Sequence, residues 1–313
     1  MSTPRARTCG AILLTGATGY VGGALLTELE ARGLPVRCLA RQAVGLPAGP
    51  ATTTEWRVAD VLDREAVSAA LEGVGTAYYL VHSMSTTADF VEADRRAAES
   101  FSTAACAAGV RRIVYLGGLG GDAPNASPHL RSRHEVGEVL REFGPQVIEF
   151  RASIILGSGS LSFELMRCLV DRLPVMVTPK RVRTPCQPIA IADVLAYLLG
   201  ALELPGEGNV TFDIGGADRV SYEELMGEYA QQRGLRRIMV PVPVLTPWLS
   251  GLWLVLVTPA RARVGRRLIE GLMTPTLAED APARATFGVD PKGVRETIAE
   301  ILRGDQPGPE ASG

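Results

Sequence analysis

The stretch from Thr15 to Gly22 constrains the fold of this chain more than any other. A short apolar run ends at Thr15 and Gly16, further glycines stand at positions 19 and 22, and an alanine- and leucine-rich pattern continues to about Arg32. This order predicts a strand, a tight turn and a helix. Gly16 and Gly19 would let the backbone approach a pyrophosphate, and Gly22 would let the helix pack closely on the strand. The helix N-terminus would add free N–H groups and partial positive charge.

The spacing of these glycines is G-x-x-G-x-x-G, which differs from the general G-x-G-x-x-G dinucleotide fingerprint. Glycines also mark ordinary turns, so the triplet alone is a weak signal. Its context strengthens it, because it follows the first strand, opens a helix and precedes a second apolar strand at Pro35 to Ala40. We therefore predict a dinucleotide site here.

Composition excludes several classes of function. The 313 residues are 46% hydrophobic and 21% charged, with a formal net charge of −2, so we expect a globular chain with no basic field for a nucleic acid. The five cysteines form no C-x-x-C pair and the three histidines no metal-binding spacing, so no metal site is expected. Reduced cysteines and the absence of an apolar leader favour a cytoplasmic protein.

Strand and helix patterns alternate through the first half of the chain. Predicted strands lie at 11–15, 35–40, 54–60, 76–81, 112–116 and 146–151, and helices lie between them, capped by Asp63 and Ser127 in two cases. This alternation predicts an α/β, Rossmann-type, doubly wound parallel sheet. We expect a dinucleotide-binding core over 1–155, a smaller C-terminal substrate lobe over 156–303 interleaved with the core's last elements, and a disordered tail over 304–313.

The same sheet predicts where a ligand would bind. The carboxyl ends of parallel strands share one edge, so Thr15, Arg41, Asp60, His82 and Gly117 should lie together there although they are far apart in sequence.

In the second half we expect helices at 161–173, 189–203 and 221–234 and strands at 174–178 and 209–214, with a proline- and arginine-rich connector at 179–188. The segment 238–259 is apolar almost throughout, but three prolines leave too short a run to span a bilayer. A buried helix or a homodimer contact through 244–258 is the favoured interpretation. A membrane-surface or lipophilic-substrate face is the alternative, since four arginines follow.

Several motifs resemble the extended and atypical branch of the short-chain dehydrogenase/reductase superfamily, the NmrA-like NAD(P)H-binding proteins. They are T-G-A-T-G-Y-V-G-G at 15–23, A-D-V at 59–61, Y-L-V-H-S-M at 79–84, R-R-I-V-Y-L-G-G-L-G at 111–120 and Q-P-I-A-I-A-D-V at 187–194. The resemblance extends to about residue 275 and does not identify the substrate.

The motif and the resemblance together predict the cofactor contacts. They are Thr15, Gly16, Thr18, Gly19, Tyr20, Val21, Gly22, Arg41, Asp60, Val61, Leu80, Val81, His82 and Arg133. Sites that prefer NAD place a carboxylate at the end of the second strand, but here Cys38 to Ala40 is followed by Arg41, which suits a 2′-phosphate. NADP(H) is therefore favoured over NAD(H). The alternative is that Arg41 is a surface residue that does not contact the cofactor. Asp60 and Val61 resemble the family's adenine contacts.

The catalytic residues of the superfamily are replaced. Gly117 and Gly118 stand where a serine is usual, and no tyrosine is followed by lysine four residues later. His129 and Arg133 have that spacing on one helix face. Arg133 could hold the nicotinamide ribose but cannot relay a proton, because arginine does not deprotonate.

Histidines are then the candidate proton donors. His82 follows the fourth strand, and His129 lies in a first helical turn, where the dipole disfavours the imidazolium. Each also has a non-catalytic interpretation, His82 as a lining residue and His129 as a surface residue.

Three functions are compatible with these features. The favoured one is an NADPH-dependent oxidoreductase that reduces a carbonyl, enone or imine of a small lipophilic substrate, with His82, His129 and Arg133 in the active site. A non-catalytic NADP(H)-binding regulatory or redox-sensing protein fits the missing Ser, Tyr and Lys. A cofactor-retaining epimerase or dehydratase is less favoured, because those enzymes usually keep the tyrosine.

Overall fold

The computed structural model describes residues 10–42, 54–81, 90–124, 126–242 and 274–305. Three predictions fall outside these ranges: the role of His82, the homodimer contact through 244–258, and the tail from residue 306 onward.

Strands and helices alternate through the first half. In chain order they are β1 (Ala11–Thr15), α1 (Tyr20–Ala31), β2 (Val36–Ala40), β3 (Thr54–Val58), α2 (Arg64–Leu71), β4 (Val74–Tyr79), α3 (Phe90–Ala107), β5 (Arg112–Gly118), α4 (Pro128–Phe143) and β6 (Gln146–Ala152). Each predicted strand of this half is present, with bounds shifted by up to two residues.

The second half is built from shorter elements. They are β7 (Ile155–Leu156), α5 (Leu161–Arg172), β8 (Val175–Pro179), a 3₁₀ turn (Lys180–Arg183), β9 (Pro185–Cys186), β10 (Ile189–Ala190), α6 (Ile191–Gly200), β11 (Val210–Ile214), β12 (Val220–Ser221), α7 (Tyr222–Gln232), β13 (Ile238–Val242), α8 (Ala281–Phe287) and α9 (Val294–Gly304).

The sheet has the order β11-β6-β5-β4-β1-β2-β3. The pairs β1–β2, β1–β4, β2–β3 and β4–β5 are all parallel. The strand order reverses between β1 and β4, which is the switch point of a Rossmann-type fold. The predicted α/β doubly wound sheet is therefore confirmed.

Local sequence explains where helices begin. The Asp63 side chain accepts a hydrogen bond from the N–H of Ala66 at the start of α2. Ser127 accepts one from Leu130 at 3.3 Å, and Pro128 takes the first helical position of α4, where its missing N–H is tolerated. At α7, Ser221 and Glu224 form a capping box.

The described residues form two compact units. The first takes its residues from Met1–Gly117, Ser132–Phe150 and Tyr197–Phe212, and the second from Gly118–Arg131, Arg151–Ala196 and Asp213–Gly313. A core in the first unit buries side chains of β1, β4 and β5, including Leu13, Tyr79 and Ile113. A separate core in the second unit includes Phe163, Met176 and Tyr229. The boundary expected at residue 155 stays a prediction.

Two regions differ from expectation. Ile189 and Ala190 were expected to begin a helix, but they form β10, which pairs in parallel with Ile155 and Leu156 of β7. The helix starts two residues later because this pairing satisfies the backbone of Ile189 and Ala190, and isoleucine suits a strand. Two helices, α8 and α9, occupy much of 281–304, where no element is predicted from the sequence.

Candidate functional site

Gly16 turns the chain directly after β1. Its φ of +74° lies in the left-handed region that favours glycine. A Cβ at this position would stand 2.6 Å from the carbonyl oxygen of Leu80, just beyond β4. Both the left-handed backbone conformation and the lack of space for a Cβ therefore require glycine at position 16.

Gly22 allows the close approach of α1 to the same turn. A Cβ on Gly22 would lie 2.1 Å from the carbonyl oxygen of Gly16. That carbonyl also accepts a hydrogen bond of 2.8 Å from the N–H of Gly19. The three glycines of the motif thus form one compact turn.

The start of α1 is suited to an anion. Gly19 is the N-cap residue and provides no side-chain cap, so no side chain of that residue competes for the first N–H groups. Thr18 and Gly19 are exposed, while Tyr20 and Val21 are half-buried. These are the features expected of a pyrophosphate-binding turn.

The Thr15 hydroxyl is directed into the sheet. Thr15 is fully buried, and its hydroxyl donates to the carbonyl of Tyr78 at 3.0 Å and accepts from the N–H of Leu80 at 3.1 Å. These two bonds join the ends of β1 and β4 and set the position of Gly16.

Arg41 follows β2 and is exposed. Within the described part of the chain its side chain makes no hydrogen bond or ion pair. Arg37, on β2 itself, is different: it pairs with Glu55 at 2.7 Å and donates to the carbonyls of Ala70 and Glu72. Arg37 therefore has a structural role, whereas Arg41 has no hydrogen-bond or ion-pair partner among the described residues.

Asp60 and Val61 follow β3. Asp60 is exposed, and its carboxylate accepts a hydrogen bond of 2.9 Å from the N–H of Leu62, which fixes the turn before α2. Val61, and Val81 beyond β4, pack against the core of the first unit. Leu80, between Thr15 and Val81, is half-buried.

Arg133 on α4 is tied to the end of β5. Its guanidinium donates to the carbonyl oxygen of Leu116, and its own main-chain carbonyl accepts a hydrogen bond of 2.8 Å from the Tyr115 hydroxyl. Burial raises the pKa of Tyr115, so this phenol stays protonated and donates. Arg133 is thus held next to Gly117, the position at which the resemblance described above would place a serine.

His129 lies in the first turn of α4, one turn before Arg133, and is half-buried. His134, on the same helix, is 3.6 Å from a Glu138 oxygen.

The structure brings most of the predicted residues to one edge of the first unit. Strands β1 to β5 are joined in parallel, and each has one of these residues at or just beyond its carboxyl end. In strand order they are Gly16, Arg41, Asp60, Leu80 and Gly117. Sequence reasoning missed the carbonyls of Leu116 and Leu80, because main-chain groups leave no signal in a sequence. No cluster of metal-binding side chains occurs among the described residues.

Comparisons with known proteins agree with this geometry. Residues 16–152 match the family described as NAD(P)H-binding. A curated relative, (4-alkanoyl-5-oxo-2,5-dihydrofuran-3-yl)methyl phosphate reductase of Streptomyces griseus, is 29% identical over 230 residues, which cover 71% of this chain and 74% of that protein.

Another relative is the 3-beta-hydroxysteroid dehydrogenase of Mycolicibacterium neoaurum, which is 33% identical over 126 residues. That match covers 37% of this chain and 34% of the dehydrogenase, so the chain spans about a third of that relative's length. Among solved structures, Citrobacter sp. triphenylmethane reductase complexed with NADP(H) has the same fold, with a TM-score of 0.74, 17% identity and coverage of 93% of this chain and 100% of that one.

The glycine turn, the strand order and the family match agree over one part of the chain, residues 16–152, which are similar to the NAD(P)H-binding family. Solved structures of a reductase, an epimerase and a dehydratase share the fold of the chain.

Proposed function

We propose that this protein is an NADPH-dependent reductase that transfers hydride to a carbonyl, enone or imine of a small lipophilic substrate. The observation that carries the proposal is the edge at the ends of β1 and β2, where an uncapped glycine turn stands beside an exposed arginine without a carboxylate. NADPH would supply the hydride, and the protein's residues would bind it and exclude water.

The turn fits the pyrophosphate of a dinucleotide. Gly16 and Gly22 allow the backbone to close into a compact turn, and the N–H groups at the uncapped start of α1 would donate to the phosphate oxygens. Thr15 would act as a positioning residue, because its hydroxyl is used by Tyr78 and Leu80 and is not directed at a ligand.

Arg41 would select the phosphorylated cofactor. A guanidinium binds a phosphate through charge-assisted hydrogen bonds, and β2 ends without the acid that would accept from a 2′-hydroxyl. Asp60, exposed beyond β3, would accept from the exocyclic amine of adenine, and Val61 would contact its ring.

At the nicotinamide end, Arg133 would bind the ribose. Its guanidinium carries several N–H donors in a planar fork, and the bond to the Leu116 carbonyl orients that fork. Because the guanidinium stays charged, it would bind and position without moving a proton.

The reaction requires a hydride at one substrate carbon and a proton at the carbonyl oxygen, at the imine nitrogen or, for an enone, at the α-carbon. We assign the proton to an imidazolium, with His129 as the donor and His82 as the alternative. His129 then becomes a neutral imidazole and recovers its proton from water.

A lipophilic substrate is supported by the apolar segment 244–258. It is also supported by the activity named for one relative, the 3-beta-hydroxysteroid dehydrogenase. The second candidate function is a non-catalytic NADP(H) sensor, which is favoured by Gly117 and Arg133 in the places of serine and lysine.

The first test is a titration of the purified protein with NADPH and NADH, followed by cofactor fluorescence, for the wild type and Arg41→Ala. Loss of a charge-assisted contact should weaken NADPH binding roughly tenfold or more and leave NADH binding unchanged. Arg32→Ala, a change at another exposed arginine at the end of α1, is the matched control. Equal affinity of wild type and Arg41→Ala for NADPH would remove Arg41 from the site.

Turnover separates the two candidate functions. Carbonyl, enone and imine compounds of increasing apolarity should be tested for consumption of NADPH at 340 nm, the absorbance of the reduced ring. Tight NADPH binding without consumption by any of them would favour the sensor.

A further inference from the structure

Three hydroxyl groups of the second unit form a hydrogen-bonded chain. The Ser153 hydroxyl oxygen lies 2.6 Å from that of Thr276, and Thr276 also shares a hydrogen bond with the Tyr222 hydroxyl. The three residues are far apart in sequence, because Ser153 follows β6, Tyr222 begins α7 and Thr276 precedes α8. We call them the hydroxyl chain. The reductase chemistry proposed above uses none of them.

Main-chain hydrogen bonds fix the middle of the hydroxyl chain. Thr276 is 6% exposed and pairs in parallel with Cys186 of β9. Its N–H donates to the carbonyl of Pro185 at 3.1 Å, and its carbonyl accepts from the N–H of Gln187 at 3.0 Å. Strand β9 also pairs with β12, which leads directly into Tyr222. The pairing of these short strands therefore positions Thr276 and Tyr222 against each other.

The Ser153 end of the hydroxyl chain lies where a ligand can reach it. Ser153 directly follows β6 and is half-buried. The carbonyl of Ala152, the residue before it, accepts a hydrogen bond of 3.0 Å from the N–H of Leu119, just beyond β5. Ligands of doubly wound sheets bind outside the carboxyl ends of the strands. Ser153 therefore has the position of a substrate contact.

The direction of the hydroxyl chain is set at Tyr222. Burial raises the pKa of this phenol, so Tyr222 keeps its proton and can donate it to Thr276. A hydroxyl has one proton to give, so Thr276 then donates to Ser153. Ser153 has no other hydrogen-bond partner among the described residues, and its own proton is left for a ligand. Hydrogen bonds in such a chain polarise one another, which strengthens the last donor.

A fourth hydroxyl beside the hydroxyl chain is buried without a partner. Thr274 is 1% exposed, and its Oγ1 has no hydrogen-bond partner in the described ranges. A Cβ on Gly120 would lie 2.9 Å from the Thr274 methyl and 3.7 Å from the Thr276 methyl, so both threonines face the same loop beyond β5. Buried polar groups are normally paired, so this hydroxyl is a second indication of a polar ligand here.

We propose that Ser153 is a substrate-binding residue that donates a hydrogen bond to the carbonyl oxygen of the substrate, with Thr276 and Tyr222 as its positioning residues. The inference rests on the proposed reductase function and narrows its substrates to carbonyl compounds and enones, because a protonated imine has no lone pair to accept the bond. A donor at the oxygen is worth most when negative charge develops there during hydride transfer. The hydroxyl chain gives up no proton, so the general acid of the reaction remains an imidazolium.

The test is the ¹³C resonance of a bound ketone. Acetone, acetophenone and a 3-ketosteroid, each labelled at the carbonyl carbon, are titrated into the full-length protein with NADP⁺, which cannot deliver hydride. A hydrogen bond to the oxygen withdraws electron density from the carbonyl carbon, so the bound resonance of at least one ketone should move downfield. Ser153→Ala should remove most of that shift and weaken ketone binding roughly five- to tenfold. Ser158→Ala is the matched control, because Ser158 is exposed and donates to Asp305 at 2.7 Å, and it should keep the shift.

Variants of Thr276 test the positioning role independently of Ser153→Ala. Thr276→Val removes the hydroxyl that links Tyr222 to Ser153 and should reduce the shift, whereas Thr276→Ser keeps a hydroxyl and should restore it. Tyr222→Phe should reduce the shift less, because Thr276 can still donate. Thermal unfolding is measured for each variant. A lower Tm with an unchanged carbonyl shift would mean that Thr276 and Tyr222 have a structural role only.

Two results would overturn the proposal. They are the absence of a downfield shift for all three ketones with the wild type, and a shift that Ser153→Ala leaves unchanged. Consumption of NADPH is followed separately and tests the proposed function. Turnover that Ser153→Ala does not affect would keep the reductase function and remove Ser153 from it. A shift that is lost in Ser153→Ala, without consumption of NADPH by the wild type, would contradict the reductase function and keep Ser153 as a carbonyl-binding residue.

Discussion

The ends of β1 and β5 lie in the same unit and differ in what fixes their residues. At β1 the backbone dictates the residue type, since Gly16 and Gly22 leave no room for a Cβ. At β5 and the facing α4, Arg133 is held by the Leu116 carbonyl, and Gly117 replaces the usual serine. Backbone geometry therefore dictates the residue types at the end of β1, where the cofactor is expected. The residues at the end of β5 depend on side-chain chemistry, so they can change while the fold is kept.

Gly22→Ala tests the first half of that comparison and should have the largest effect. The new Cβ would stand 2.1 Å from the Gly16 carbonyl, so α1 must move away from the turn. We expect the free energy of unfolding to fall by about 3 kcal/mol and NADPH binding to be lost. Denaturant unfolding and cofactor titration measure the two effects.

The matched control for Gly22→Ala is Gly227→Ala in α7. A Cβ at Gly227 meets nothing within 4 Å, so alanine should stabilise that helix by about 0.5–1 kcal/mol. The glycine-to-alanine substitution should thus lower the free energy of unfolding at position 22 and raise it at position 227. A mild effect at Gly22 would show that the turn adapts and that the contrast between β1 and β5 is overstated.

His129→Ala tests the reactive end. Loss of a general acid should lower kcat roughly 100-fold while the Kd for NADPH stays unchanged. His134→Ala removes an imidazole from the same helix, and its 3.6 Å contact with Glu138 is outside the proposed chemistry, so kcat should be preserved. If both variants turn over at the wild-type rate, proton donation by His129 is excluded.

Particular residues show what the sequence can predict. The β1–α1 turn was predictable because glycine spacing, an apolar strand and a helical pattern are all local signals. The hydrogen bonds of the buried Thr15 hydroxyl were not predictable, because its partners Tyr78 and Leu80 lie more than 60 residues away in the sequence. Ile189 was misassigned to a helix for the same reason, because its pairing with Ile155 is a tertiary contact.

Gln187 gives a second example. The motif that contains it was visible, but its role was not. The side chain is buried and bonds to the carbonyl of Gly216 at 2.8 Å and the N–H of Ala278 at 3.0 Å, which joins distant parts of the second unit.

Thr15→Val distinguishes a positioning role from a direct cofactor contact. Valine keeps the shape but leaves the Leu80 N–H and the Tyr78 carbonyl unpaired, which should cost about 2 kcal/mol of stability. Thr15→Ser keeps both bonds and should cost less than about 1 kcal/mol. Thermal unfolding measures stability and fluorescence titration measures affinity. If valine weakens NADPH binding while stability is kept, and serine does not, the Thr15 hydroxyl contacts the cofactor directly and the positioning role is wrong.

Arg133→Lys and Arg133→Met should have the smallest effects and address the reactive end most directly. Methionine removes the donor to the Leu116 carbonyl and should lower the free energy of unfolding by about 1 kcal/mol, while lysine can keep that donor. The Tyr115 bond is made to the main chain and should survive in both variants. The pH dependence of kcat is the sharper measurement. Lysine introduces a group that can titrate, so a new ionisation in the profile would mean that position 133 lies on the proton path. An unchanged profile, with NADPH binding weaker in the methionine variant only, is the result expected if Arg133 binds the ribose and the proton moves through a histidine.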